Sequence, residues 1–160
     1  MKKYAGIWVL AVVTIIFVLP TACTKNNVSP VPSIYYLNMY PDSIMAGSSK
    51  DTVNIQFHLQ DGDADLGNDP NSTNYDLYIK DSRYDTFQGY FFPPIASQVE
   101  DPKKGLEGIC TFQMLAALII PRQDSIHIKQ GDTASFELYI TDRAGHKSNH
   151  ITTPKLYIKP

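Results

Sequence analysis

The chain has 160 residues, with 14 Lys and Arg against 16 Asp and Glu, a formal net charge of −2 and a hydrophobic content of 43%. That length suits one domain with a real core. Mild acidity gives no reason to expect nucleic acid as a partner.

The first 22 residues read as a segment outside the fold. Lys2 and Lys3 make a short positive region, and Ile7 to Leu19 is an uncharged run of thirteen residues. A bilayer span needs about 20 such residues, so the run fits the apolar core of a secretory signal. Leu19-Pro20-Thr21-Ala22-Cys23 follows. It resembles a bacterial lipobox, with Pro20 where Leu is usual and Leu19 one position further back. The resemblance implies cleavage before Cys23 and acylation of Cys23, which would anchor the protein to a membrane. More than one acyl chain gives stable anchoring. Cleavage would leave 138 residues with 12 basic and 16 acidic side chains, a charge of −4. Cys110 would then have no partner within the chain, and its apolar neighbours predict a buried free thiol.

Residues 23 to 33 read as the lipidated Cys and a flexible tether, rich in Asn, Ser and Pro. The domain is expected over 34 to 160. Ile34 to Tyr40 is an aromatic-rich, strand-like run, broken by Pro41-Asp42-Ser43. Thr52 to Gln60 gives the clearest alternation. There Val53, Ile55, Phe57 and Leu59 interleave with polar residues, as in a half-buried strand. Asp61-Gly62-Asp63-Ala64-Asp65-Leu66-Gly67-Asn68-Asp69 follows at once and opens a long irregular connection. Tyr75 to Lys80 resumes as a strand, with Leu77 and Ile79 on one face. Phe87 to Phe92 predicts a short aromatic strand, and Pro93-Pro94 stops it. Leu106 to Ile120 fits a strand that gives way to a helical turn or continues to Pro121. Ser125 to Lys129 predicts a short strand through Ile126 and Ile128. Thr133 to Thr141 alternates again through Phe136, Leu138 and Ile140. His150 to Lys159 closes the domain with Leu156 and Ile158 inward. About seven or eight short strands joined by turn clusters predict an all-β antiparallel sandwich.

Two motifs give the chain a family likeness. Asp61 to Gly67 after a strand is similar to a "DGDGDIG" loop. Thr141 to Asn149 before the last strand is similar to a "D-x-x-G-N-x-S" turn, with His146 in place of the usual Asn. Together they resemble small Bacteroidetes-type envelope lipoproteins with an immunoglobulin-like domain, over about residues 34 to 158. The resemblance implies an immunoglobulin-like sandwich and a place in the cell envelope, lipid-anchored at the outer membrane. It implies no activity.

Asp61, Asp63, Asp65 and Asp69 are the candidate metal ligands. Ca²⁺ takes six to eight oxygens, and carboxylates at alternate positions can converge on one ion. An EF-hand is excluded, because its sixth position is Leu66 here and its twelfth is Ser72. The competing reading is a solvated turn whose aspartates bond their own backbone. The topology would bring Asp142, at another strand end, to the side of the loop. Ser43, Thr52, Ser125 and Thr133 each follow an Asp and precede an apolar residue. These triplets are similar to the O-glycosylation acceptor of exported Bacteroidetes proteins, although Asp-Ser and Asp-Thr also begin strands after turns. His58 and His127 are expected on outer strand faces, and the four histidines do not cluster as zinc ligands do. Tyr35, Tyr36, Tyr40, Tyr84, Tyr90, Phe91 and Phe92 suggest an aromatic surface for a glycan or an envelope protein, against the bland reading that such residues favour strands. The sequence therefore points to a non-enzymatic binding or structural role, with Ca²⁺ as the expected ion. The alternative is a Ca²⁺-dependent glycan-active enzyme or a glycan-binding accessory protein.

Overall fold

The computed structural model describes residues 28–67, 73–92, 95, 101 and 104–160. Asp69, Cys23 and the signal segment lie outside the described residues. So do Pro93 and Pro94.

Strand β3 (Thr52–Asp61) organises the first sheet. Its alternation is realised in full, with Val53, Ile55 and Phe57 0% exposed and Leu59 5%. β1 (Ser33–Tyr40) pairs with one edge of β3 and β6 (Leu106–Leu115) with the other, both antiparallel. The register sets Ile34 beside Leu59 and Cys110 beside Phe57. Cys110 is half-buried against the core, and burial pushes its thiol up to about 11.

The remaining strands fall into a three-stranded and a four-stranded sheet: β2 (Ser43–Met45), β4 (Leu77–Asp81), β5 (Gln88–Tyr90), β7 (Asp132–Ala134), β8 (Phe136–Ile140), β9 (Ile151–Thr152) and β10 (Leu156–Lys159). β5, β4, β8 and β9 lie side by side, as do β2, β10 and β7. β7 and β8 are one run interrupted at Ser135, and β9 and β10 one run interrupted at 153–155. Thr153 mends the ladder at this break. Its amide donates to Phe136 O and its hydroxyl accepts from Phe136 N, each at 2.9 Å. Joining the interrupted runs, and β1 with β2, leaves seven strands. β2 runs parallel to β10, so the N-terminal run crosses from one sheet to the other. This is an immunoglobulin-like β-sandwich. Leu77, Ile79, Phe136, Leu138, Ile140, Leu156 and Ile158 face β3 across a single core.

Three expectations change and one alternative is decided. Residues 125–129 form no strand. Asp124 Oδ1 accepts the amides of Ile126 and His127, each at 3.0 Å, which starts the short helix α1 (His127–Gln130). Ile126 and Ile128 are 60% and 53% exposed, and His127 sits on this helix rather than on a strand face. Leu106 to Ile120 takes the first of its two alternatives, a strand to Leu115 and then a 3-10 turn over Ala116–Leu118. The aromatic strand shrinks to Gln88–Tyr90, and Phe92 leaves it to pack edge-on against Phe57 in the core. Finally, the end of the expected tether belongs to the fold. Pro32 is fully buried, and Ser29 O accepts the Gly62 amide at 2.9 Å.

Candidate metal centre

The period of β3 decides where the first carboxylate goes. Val53, Ile55, Phe57 and Leu59 point inward, so the next position in phase, Asp61, is also inward and 0% exposed. The chain then turns sharply. Ala64 adopts φ +58°, in the left-handed region uncommon for a residue with a Cβ, and Gly67 takes φ +79°. Ala64 and Leu66 are buried at 2% and 0% exposure and anchor the loop to the domain. The alternate residues Asp63 and Asp65 are half-buried and gather beside Asp61. One carboxylate oxygen from each of Asp61, Asp63 and Asp65 lies within 4.8 Å of the other two.

Hydrogen bonds hold this arrangement from outside. The Asp65 amide donates to Asp61 Oδ2 at 3.0 Å. The turn after β8 closes the other side. Arg143 N and Nε donate to Asp65 O at 3.1 and 2.9 Å, and Ala144 N donates to Asp65 Oδ2 at 3.1 Å. The inner oxygens are different. Oδ1 of Asp61, Asp63 and Asp65 is in each case buried and, among the described residues, without a hydrogen-bond partner. Burial pushes the Asp61 carboxyl up to about 7, and the charges of Asp63 and Asp65 add to it. Burial also raises Asp65, followed by the charges of Asp142 and Asp63, while the Ala144 amide pulls the other way.

Asp142 does stand close enough for its charge to reach Asp65, but it is outside the carboxylate cluster. Both its oxygens serve His146. Oδ1 accepts the His146 amide at 2.7 Å, and Oδ2 lies 2.7 Å from its Nδ1. The Asp142 hydrogen bond and charge raise the His146 pKa.

A second set of buried charges escaped the sequence reading. Asp132 has a fully buried side chain and lies in phase with Ala134, Phe136, Leu138 and Ile140. Arg122 Nη2 donates to its Oδ1 at 2.7 Å, and Arg83 Nη1 to its Oδ2 at 3.1 Å. The amides of Arg122 and Thr133 complete the shell. The Arg122 guanidinium first, with those amides and Arg83 behind it, holds Asp132 well below the usual carboxylate range against the effect of burial. Arg83 is itself only 4% exposed and also grips Asp81. Inward parity was the available signal for Asp132, as it was for Asp61. The guanidiniums come from distant segments and carry no local signal.

The remaining sites are dispersed. Ser43 and Thr52 begin strands and Thr133 lies in β7, all half-buried, whereas Ser125 is exposed in the turn before α1. Asp124 and Asp132 make the local backbone bonds that the bland reading of these triplets requires. The seven aromatic residues do not form one surface. Tyr35 sits beside His58, with ring centroids 6.3 Å apart, on the outer face of the first sheet. Tyr84 and Tyr90 line a groove of about 510 Å³ with Phe112 and Met114. Phe91 packs on Tyr75, and Phe92 is core.

No protein-family model and no curated protein matches the chain. Among solved structures it is similar to the PKD domain of an M14-like peptidase from Thermoplasmatales archaeon SCGC AB-540-F20. The identity is 17% and the TM-score 0.39, over 81% of this chain and 94% of that one.

Proposed function

We propose that the chain is a lipid-anchored protein of the cell envelope, held at the outer membrane through Cys23, with a non-catalytic binding or structural role. Its domain is stiffened by Ca²⁺ at Asp61, Asp63 and Asp65. The carrying observation is the triplet of buried carboxylate oxygens that lack hydrogen-bond partners among the described residues. Buried polar groups are otherwise satisfied in folded proteins, and a buried charge needs a counter-charge. Two oxygens on opposite sides of one Ca²⁺, each about 2.4 Å from it, stand about 4.8 Å apart. The donor set is all oxygen, which suits a hard cation. Asp69 is the candidate for a fourth ligand on sequence grounds.

The anchor rests on residues 2 to 23 of the sequence. The non-catalytic reading is supported by the engagement of the other buried acids. Asp132 is saturated by two arginines, Asp142 by His146, and Asp76 accepts the Phe92 amide. The test is thermal unfolding of the protein with Ca²⁺ and with chelator. The midpoint should rise with Ca²⁺ and the rise should vanish in Asp63→Ala. An unchanged midpoint at millimolar Ca²⁺ removes the ion from the reading.

A second reading, a glycan-binding accessory, is favoured by the groove between β4, β5 and β6. Its lining combines Tyr84, Tyr90 and Phe112 with Gln88 and Gln113, a mixture that fits the apolar face and hydroxyls of a sugar. Glycan retained intact on immobilised protein supports this role, cleaved glycan supports the enzymatic alternative, and no retention discards both. Glycosylation at Ser43, Thr52, Ser125 and Thr133 belongs to the same proposal. An intact mass equal to the lipidated polypeptide alone would remove it.

A further inference from the structure

The chain that enters the fold does so across the aspartate loop. Gly62 lies between two of the three cluster residues, and its amide donates to Ser29 O at 2.9 Å. A Cβ on Gly62 would sit 2.4 Å from both Ser29 O and Val28 O. The backbone of the strap, residues 28 to 32, is therefore pressed against the loop with no room for a side chain between them. The strap is fixed a second time just beyond buried Pro32. Asn149 Oδ1 accepts the Ile34 amide at 2.9 Å, and Asn149 Nδ2 donates to Ile34 O at 2.8 Å. Asn149 follows the turn whose Arg143 and Ala144 amides hold Asp65. Both fixings of the strap thus lead back to the three carboxylates, one through Gly62 and one through the turn after β8.

We propose that the cation site and the strap are one coupled device: an ion at Asp61, Asp63 and Asp65 clamps residues 28 to 32 onto the end of the sandwich, and losing the ion frees them. The inference rests on the cation reading above. The physical link is short. Three carboxylates that share an ion are drawn together, whereas without it they repel. The peptide between Asp61 and Asp63 moves with them, and Gly62 cannot shift without losing its bond to Ser29. Linkage then runs both ways, so whatever factor the ion adds to strap docking, the docked strap adds to ion affinity. The device matters because only four residues separate Cys23 from Val28, a reach of at most about 18 Å. Ion occupancy would therefore set how stiffly the domain stands on its proposed anchor.

The experiment uses the full mature protein in detergent, with two readouts. Hydrogen exchange is measured at the Ile34 amide with Ca²⁺ and with chelator, and Ca²⁺ affinity is measured by calorimetry for the native protein and for Asn149→Ala. That substitution removes the strap's second fixing and touches no carboxylate. Coupling of ordinary size is roughly 5- to 150-fold. Ca²⁺ should slow Ile34 exchange at least fivefold, and Asn149→Ala should weaken Ca²⁺ binding by a similar factor while its circular dichroism stays native. Ca²⁺ binding that leaves Ile34 exchange and the Asn149→Ala affinity unchanged overturns the coupling and leaves the ion site standing. No Ca²⁺ binding at all overturns both. Should Asn149→Ala fail to fold, Asn149→Asp, which keeps the acceptor for Ile34 N and loses the donor to Ile34 O, takes its place with the same expected direction.

Discussion

Asp61→Asn should reverse the order of stability between chelator and Ca²⁺. In the ion-free protein the Asp61 side chain is 0% exposed, and its carboxyl is raised from 3.8 to about 7, first by burial and then by Asp63 and Asp65. A raised acid is favoured in its protonated form by the fold. The corresponding stability is fully present below about pH 4 and is lost as pH rises through about 7. At 1.36 kcal/mol per pKa unit, the ion-free fold above pH 7 carries a penalty of at most roughly 4 kcal/mol. Asparagine has the same shape and cannot ionise. Its oxygen can still accept the Asp65 amide, and its NH₂ can face the unpartnered oxygens of Asp63 and Asp65. The variant should therefore be more stable than the native protein in chelator at pH 8, by roughly 1 to 4 kcal/mol, a rise in Tm of several degrees.

In Ca²⁺ the sign changes. The native protein gains about 4.1 kcal/mol at a thousandfold excess of ion over its dissociation constant, enough to offset the largest penalty, and the variant, short of one carboxylate, gains much less. Scanning calorimetry at pH 8 and pH 5, with ion and with chelator, measures all four combinations. At pH 5 in chelator the gap should shrink by more than half, because Asp61 is then protonated in the fold while the unfolded chain still ionises there, and it should close only below about pH 4. A variant that is less stable than the native protein in chelator at pH 8 refutes the reasoning. It would mean that the Asp61 charge is already compensated within the fold.

Asp132→Ala takes one of its two carboxylates from the buried Arg83 guanidinium, which keeps Asp81, and should cost about 1.5 to 3 kcal/mol in urea unfolding. Because Asp132 is held below its ordinary pKa, its contribution is present above about pH 4 and fades on acidification, so the variant should show a flatter acid limb than the native protein. Phe57→Ala empties a fully buried position at the centre of β3 and should cost about 3 to 5 kcal/mol by the same assay. Cys110, with its thiol pushed up to about 11, should resist thiol reagents at pH 8 until the protein is denatured. Rapid stoichiometric labelling of the folded protein would show that the thiol is open to solvent.

Most of the sandwich was legible wherever three or more apolar residues alternated. β3 and β8 were found from period two alone, and their inward faces are the core. Where alternation rested on two residues it held for Leu77 with Ile79 and for Leu156 with Ile158, and misled at Ile126 with Ile128. Ile126 and Ile128 have the spacing of a strand, yet Asp124 captures the next amides and Gly131, at φ +84°, ends a short helix instead. Phe92 was read as part of an aromatic surface because local composition says nothing about a side chain that turns back to meet Phe57. The strap was read as tether because its Pro and Ser content is that of a linker. Its docking depends on Gly62 and Asn149, which lie far along the chain.

The candidate site was legible as a cluster but not as a burial problem. Asp61 and Asp132 are both placed inside by the parity of an adjoining apolar strand, and both would destabilise the fold if left charged and bare. Their surroundings then differ. Asp132 meets two guanidiniums and two amides, so its charge is compensated within the chain. Asp61 meets one amide and two further carboxylates, which deepens the cost rather than offsetting it. The loop is nevertheless built closely around these acids, with Ala64 in a left-handed conformation and Gly62 in contact with the strap. A divalent cation, as proposed above, would supply the missing charge and a use for the three inner oxygens together. The ionic network at Asp132 thus serves as the internal contrast: the same fold shows how it satisfies a buried aspartate when nothing from outside is needed.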